Sequence, residues 1–359
     1  MTSKKSVSKT SSKQIRMVGY SFFLLLFLLV LEFGCRVFLI NKYPVMTFMD
    51  HSEVIYLYYG NVRAVDKMVP KKGDGNFDVL LLGGSVLNPN NGEVAEKLKL
   101  QLKELDSSRS FKIHNVSYSG HTSRDSKFKM ELLSKYHFDL VVFYHGINEV
   151  RANNCPNEVF KVDYGHFVWY DEINRVKKYS GHEISAIPLA FDYYKVIFTN
   201  MFFPTNYIPE GNPREGWREF GNNIKTEESF RSNLLDIKNI VNDMGSKLIV
   251  PTFTYCVDSN YSLQEFEKRR FRDERVRFPI ETWGFPSNVT KGIEAHNGII
   301  KELTNEEGIV VIEMDSEMSK NDIMFDDVCH LTERGSGEFS KRIVKEIDVI
   351  LNGSNNVND

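Results

Sequence analysis

The chain predicts an α/β fold, a doubly wound five-stranded parallel sheet with helices on both faces, preceded by one transmembrane helix. Three observations carry that expectation. From Asp78 onward, short apolar runs alternate with stretches of helical spacing, the pattern of strands in a parallel sheet joined by crossover helices. The first three runs each end in a small or polar loop: Gly-Gly-Ser at 83–85, Ser-Gly at 119–120 and Gly-Ile-Asn-Glu at 146–149. Near the start, Met17 to Leu31 carries no charge at all.

Residues 1–16 are rich in Ser, Thr and Lys, hold five positive charges and no acidic residue, and are expected to form a disordered cytoplasmic tail. The anchor follows at 17–40. Met17 to Leu31 makes a helix of about 22 Å, and continuation to Ile40 gives about 36 Å, enough for a hydrocarbon core of roughly 30 Å. Glu32 and Arg36 stand four apart in that continuation, in the order that lets them pair near the outer interface. No A-x-A site is present and Glu32 spoils a lipoprotein-type box before Cys35, which favours an uncleaved anchor over a signal peptide. The positive charges before the span outweigh Arg36 and Lys42 after it, so the amino terminus is expected inside and the bulk of the chain outside.

Residues 41–77 read as a membrane-proximal connection and 78–352 as the folded domain, with insertions near 150–222 and 256–288 and a tail at 353–359. In the domain, Asp78 to Gly83 is the first strand, and Glu93 to Leu105 a helix with Asn90 and Asn91 as candidate caps. Phe111 to Val116 and Asp139 to Tyr144 are further strands, with a helix from Ser123 to Tyr136 between them. The alternation then stops from Val150 to Asn222, an interval rich in aromatic residues. Its piece Val196 to Pro204 is apolar enough to pack on its own domain, to receive an acyl chain or to touch a bilayer. Regular structure resumes with a helix over Glu227 to Met244 stopped by Gly245, a strand over Lys247 to Phe253, a helix over Val289 to Glu307, a strand over Ile309 to Ile312 and a last helix over Thr332 to Leu351. The charged run Glu265 to Arg277 is expected to be a solvated helix face.

Composition narrows the function classes. The net charge is −3, and with the basic tail set aside the remainder stands at −8, which gives no nucleic-acid surface. The four cysteines form no CxxC pair and no zinc-like spacing with histidine, so no metal site is expected. Cys155 and Cys256 each follow a strand and could pair only in an oxidising compartment. GGSVLN lacks the G-x-G-x-x-G spacing of a dinucleotide fold, and no organic cofactor is expected.

In a sheet of order 2-1-3-4-5 the loops after the first three strands meet at the topological switch point, where ligands bind. Ser85 stands in the first of them, exposed by the Gly-Gly exit. Ahead of the last helix lies Asp326-Asp327-Val328-Cys329-His330, in which Asp327 and His330 are three apart and can face one side. A carboxylate beside an imidazole fixes its tautomer and supports it as a base for a serine hydroxyl. Ser85, Asp327 and His330 are therefore candidates for a catalytic triad. The N–H groups of Ser85 and Gly120 and the side-chain amide of Asn148 are candidates for an oxyanion hole.

These four blocks resemble the SGNH, or GDSL-like, hydrolase family. LLGGSV resembles its first block, the glycine of SYSGHTS its second, GINE its GxND block and Asp327 to His330 its DxxH block. Gly84 replaces the Asp of GDS, as in membrane-anchored relatives, and Glu149 the Asp of GxND. The resemblance implies a flavodoxin-like three-layer α/β/α domain with Ser85 as nucleophile. On this reading the chain is a membrane-anchored serine esterase that acts on an acylated glycan or lipid. An O-acyltransferase with the same triad and a non-catalytic binding protein of the same fold are the alternatives.

Overall fold

The structure is a computed structural model that describes residues 10–43, 48, 54–179, 185–202, 208, 214, 216–258, 260–268, 277–305 and 308–355. In chain order the helices are α1 (Thr10–Lys42), α2 (Ile55–Tyr58), α3 (Val62–Met68), α4 (Val94–Leu105), α5 (Ser123–Leu133), α6 (Ile147–Ala152), α7 (Val168–Tyr179), α8 (Ile187–Phe202), α9 (Glu227–Asp243), α10 (Leu263–Lys268), α11 (Pro286–Glu302), α12 (Met314–Glu317) and α13 (Glu333–Asn355). The strands are β1 (Asn76–Gly83), β2 (Ser110–Asn115), β3 (Leu140–Tyr144), β4 (Lys247–Pro251) and β5 (Ile309–Ile312). The chain divides into two compact units, Met1–Tyr58 with Glu172–Thr205, and Tyr59–Asp171 with Asn206–Asp359.

The second unit is built on one sheet of order β2-β1-β3-β4-β5, parallel throughout, as expected from the sequence. Right-handed crossovers fix which face each helix covers. α4 packs against α13 on one face, and α5, α9 and α11 pack in succession on the other. The strands are apolar on both sides because both sides are covered. Val79 and Leu81 of β1 share a buried cluster with Leu98 and Leu102 of α4 and Phe339, Ile343 and Ile347 of α13. On the opposite face Phe143 of β3 meets Phe230 of α9, ring centroids 6.0 Å apart.

Several local signals act as expected and one does not. Gly245 ends α9 at a φ of 70°, and its N–H donates to the Asn242 carbonyl at 2.9 Å. Asp125 returns to the Thr122 N–H at 2.7 Å and closes the first turn of α5. Asn90 and Asn91 do not cap α4: Glu93 occupies the N-cap position without a side-chain bond. Asn91 Nδ2 instead donates to Ser119 Oγ at 2.7 Å, tying the loop after β1 to the loop after β2. The Glu265 to Arg277 run is helical only in α10, which buries none of its residues; 269–276 lie outside the described residues. Cys155 and Cys256 are both free thiols.

In the first unit α1 carries Gln14–Lys42, with a mean hydropathy of 2.5 in its most apolar window, the one helix among the described residues long and apolar enough to cross a membrane. The side chains from Met17 to Leu31 are exposed throughout. Length and composition both fit a span.

Phe339 is fully buried and meets Tyr144 of β3 edge-on at 4.8 Å, while Tyr144 stacks on Phe253. Phe339→Ala opens a cavity where α13 seals the sheet, and is expected to cost about 3–5 kcal/mol of stability. Denaturant unfolding of the full chain in detergent measures it; a loss under about 1 kcal/mol would mean that α13 is not seated on the sheet as described.

Candidate active site

Three strands deliver their loops to one place. β1 ends at Gly83, and the chain turns at once so that the Asn88 N–H donates to the Ser85 carbonyl at 3.1 Å. The Tyr118 N–H donates to the Gly83 carbonyl at 3.2 Å, so the β2 loop continues the pairing past the end of the strand. A turn then closes from the His121 N–H to the Tyr118 carbonyl, with Gly120 at its third position and a φ of 78°. That left-handed value is the one glycine adopts without steric cost. After β3, Gly146 opens α6 and sets Asn148 in its first turn.

The structure brings Ser85, His330 and Asp327 into a continuous chain of hydrogen bonds. Ser85 Oγ and His330 Nε2 are 2.8 Å apart, and His330 Nδ1 and Asp327 Oδ2 are 2.7 Å apart. All three residues are buried. Asp327 Oδ1 also accepts the backbone N–H groups of Cys329 at 3.0 Å and His330 at 2.8 Å, and Oδ2 accepts the Phe278 N–H at 3.0 Å. Burial alone would raise this carboxyl's pKa, but the His330 side chain and the N–H groups of Cys329 and His330 outweigh it and hold the pKa below the ordinary carboxylate value. The neighbouring Asp326 faces elsewhere, 2.9 Å from Arg277 Nη2 in an ion pair. With the carboxylate as acceptor, Nδ1 carries the imidazole proton and Nε2 is left to accept from the serine.

Asn148 lies over the peptide beside Ser85. Its Nδ2 donates to the His121 carbonyl at 2.8 Å, and its Oδ1 accepts from Trp283 Nε1 at 3.4 Å. A Cβ on Gly84 would fall 2.7 Å from that Nδ2 and 3.3 Å from the His121 carbonyl oxygen. A side chain at position 84 would therefore have to displace the Asn148 amide. Gly120 sits one residue before His121, in the turn that presents the carbonyl.

Behind His121 is a buried polar cluster that the sequence reading did not find. Lys129 of α5 is fully buried and donates from Nζ to His121 Nδ1 at 2.8 Å and to the Val116 carbonyl. Burial pushes Lys129 down to about 7 and His121 down to about 3, so the imidazole is neutral and accepts. Asp125 accepts hydrogen bonds from the hydroxyls of Tyr59, at 2.7 Å, and of Tyr170. One signal was available: Lys129 stands three after Ser126 and four before Leu133, on the inward face of a predicted helix. Phe278 left no such trace, because it contributes a backbone N–H.

Two other features border the site. Asp327, Cys329 and His330 offer ligating atoms within 4.8 Å of one another, but Asp327 and His330 are already bonded to each other. The set reads as a hydrogen-bonded unit rather than a metal cage. A cavity of about 570 Å³ lies beside Asp327, walled by Tyr261, Phe266, Phe278 and Phe325 with Lys320 and Asp258. The recess at Ser85 itself, between Gly84, Asn148 and Phe253, is about 10 Å³.

No protein-family model matches the chain, and no curated protein matches it in sequence. Among solved structures, a lipase/acylhydrolase from Enterococcus faecalis is similar at 14% identity, over 76% of this chain and 95% of that one, with a TM-score of 0.39. Axe2, an acetylxylan esterase from Geobacillus stearothermophilus, is similar at 13% identity over 78% and 95%, TM-score 0.40. LAE5, an alpha/beta hydrolase from the metagenome of Lake Arreo, is similar at 10% identity over 77% and 96%, TM-score 0.42. Likenesses this distant carry no argument about activity, which has to come from the site.

Glu149 follows Asn148 into α6 and is fully buried, with Oε1 accepting the Ser123 N–H and Oε2 lacking a partner among the described residues. Burial raises its carboxyl to about 8, against partial opposition from the Ser123 N–H. An acid raised in the folded state contributes full stability below the unfolded value near 4.5 and loses it as pH climbs toward 8. Glu149→Gln keeps the acceptor and removes the titration. Its stability relative to the parent, from denaturant midpoints, is therefore expected to grow between about pH 5 and pH 8, by at most about 1.4 kcal/mol per unit. A difference independent of pH over that window contradicts the buried, protonated carboxyl.

Proposed function

We propose that the chain is a membrane-anchored serine esterase of SGNH type. It removes an acyl group, acetyl being the simplest, from a cell-surface glycan or lipid. Ser85 is the nucleophile, His330 the base and Asp327 its orienting carboxylate. The observation that carries this reading is the hydrogen-bonded series Ser85, His330, Asp327, with links of 2.8 and 2.7 Å. A serine, an imidazole and a buried carboxylate in that order form the apparatus of acyl transfer.

The chemistry follows from the atoms. As Ser85 Oγ bonds to the ester carbonyl carbon, its proton passes to His330 Nε2 and the carbonyl π pair moves onto oxygen. The carboxylate of Asp327 stabilises the imidazolium so formed. Ser85 N–H, Gly120 N–H and the Asn148 amide are the donors assigned to the oxyanion, each worth on the order of 3 kcal/mol of barrier. Asn148 Nδ2 spends one of its two hydrogens on the His121 carbonyl, which leaves the other for this purpose. Collapse breaks the bond to the alcohol oxygen, and Nε2 returns the proton to that leaving group. Water then attacks the acyl-serine with Nε2 taking its proton, and Ser85 leaves with that proton as the free acid departs.

The apolar helix α1 supports membrane anchorage, and the excess of positive charge before it supports a cytoplasmic amino terminus with the catalytic unit outside. An outward-facing esterase held at the bilayer meets acylated glycans and lipids rather than cytoplasmic esters.

Three results test the assignment. A fluorophosphonate probe is expected to label the full chain in detergent and not Ser85→Ala; equal labelling of the two removes Ser85 as nucleophile. Asp327→Asn leaves the volume but offers His330 the wrong partner, and is expected to lower kcat on the order of 10⁴-fold with the circular dichroism unchanged. With an acyl-labelled ester and a sugar acceptor present, label in free acid supports hydrolysis, and label on the sugar makes the chain a transferase.

A further inference from the structure

Glu32 and Arg36 are charges inside α1. Arg36 Nε donates to Glu32 Oε1 at 2.6 Å. The rest of the carboxylate is taken by the start of α8: Ser185 Oγ donates to Oε2 at 2.7 Å and the Ala186 N–H to Oε1 at 2.9 Å. From there α8 follows α1 in the same direction. Tyr194 stacks on Phe38 at 4.7 Å, Tyr193 tilts against it at 5.5 Å, and Lys42 Nζ lies 5.0 Å from the Tyr193 ring centre. Asp192 of α8 is 3.7 Å from Arg175, so this acidic group is also paired within the unit.

Away from α1, α8 is bare. Phe191, Phe198, Met201 and Phe202 are exposed, Phe191 by 71% and Phe198 by 63%. Their spacing sets them in one stripe along the helix, and Lys195 stands exposed within it. A water-facing helix does not carry four large apolar side chains on one face without an occupant.

We propose that α8 is a second membrane-contacting helix, seated against the outward half of α1 with its apolar stripe in the outer leaflet and Lys195 reaching the headgroups. The inference rests on the reading that α1 spans the bilayer, and it is independent of the esterase assignment. Depth argues for it. Glu32 lies fifteen residues after Met17. That is about 22 Å along a helix, inside a hydrocarbon core of roughly 30 Å that begins at Met17. A helix whose first N–H is bonded to Glu32 therefore starts within the core. Its later turns rise into the headgroup layer, where aromatic rings and a lysine are favourable. Continuity with the exposed apolar surface of α1 selects lipid over a protein partner. The capping contact also answers how the span tolerates a carboxylate: Arg36, Ser185 and the Ala186 N–H satisfy it together.

The test places a photoreactive benzoylphenylalanine singly at Leu24, Phe191, Phe198 or Leu100 in the full chain, reconstituted in phosphatidylcholine vesicles that hold labelled lipid. Leu24 reports the span, and Leu100, exposed in α4, is the aqueous control. Cross-linking to lipid at Phe191 and Phe198 is expected at yields within about threefold of Leu24 and at least tenfold above Leu100. Yields at the Leu100 level, or cross-links to protein, with Leu24 still reacting with lipid overturn the inference and leave the span intact. Failure at Leu24 as well overturns both. If the Phe198 variant misfolds, Met201 serves in its place, and Glu32→Ala is expected to lower the yield at either position severalfold by releasing the start of α8.

Discussion

Asp327 buries a carboxylate that accepts four hydrogen bonds, from the backbone N–H groups of Phe278, Cys329 and His330 and from His330 Nδ1. A buried anion without such partners would take up a proton, and a protonated acid could not orient the imidazole. The segment before α13 and the chain at Phe278 are thereby drawn to one point. His330 is left with Nε2 directed at Ser85. Trp283 and Phe278 lie near the imidazole, at 6.2 and 5.9 Å between ring centres, and limit the space into which it could swing. The orientation of His330 and the seating of the segment before α13 are one interaction seen twice.

The sheet itself was legible in the sequence because parallel strands are buried on both faces and read as unbroken apolar runs. The five runs from Asp78 to Ile312 are the five strands, in the expected order. Glycine-marked endings were equally readable, since Gly120 and Gly245 both take left-handed backbone angles. Capping was less so: Asn90 and Asn91 have the right chemistry before α4, but the Asn91 side chain is as well served by Ser119 across the loop, and Asn90 gives its backbone N–H to Asn88 Oδ1. The residue spacing that favoured Asp327 over Asp326 agrees with the geometry, for Asp326 is engaged with Arg277.

The part of the site that stayed hidden consists of backbone donors and buried charges. A main-chain N–H such as that of Phe278 is present at nearly every residue, so residue type says nothing about its use. Lys129, His121 and Asp125 look like ordinary polar residues of a loop and a helix until packing closes over them. Their burial then makes each depend on the others, because an unpartnered polar group in that interior would cost more than the bond it lacks. The cluster fixes His121, and through the His121 carbonyl it fixes Asn148.

Gly84 couples two loops that are far apart in the chain. A Cβ at this position would fall 2.7 Å from the amide nitrogen of Asn148. A side chain there must push that amide away from the His121 carbonyl, so positions 84 and 148 are epistatic: the effect of a substitution at one depends on the residue at the other. What the pair holds is a packing relation between the loop after β1 and the start of α6, and neither can be altered alone without moving the other.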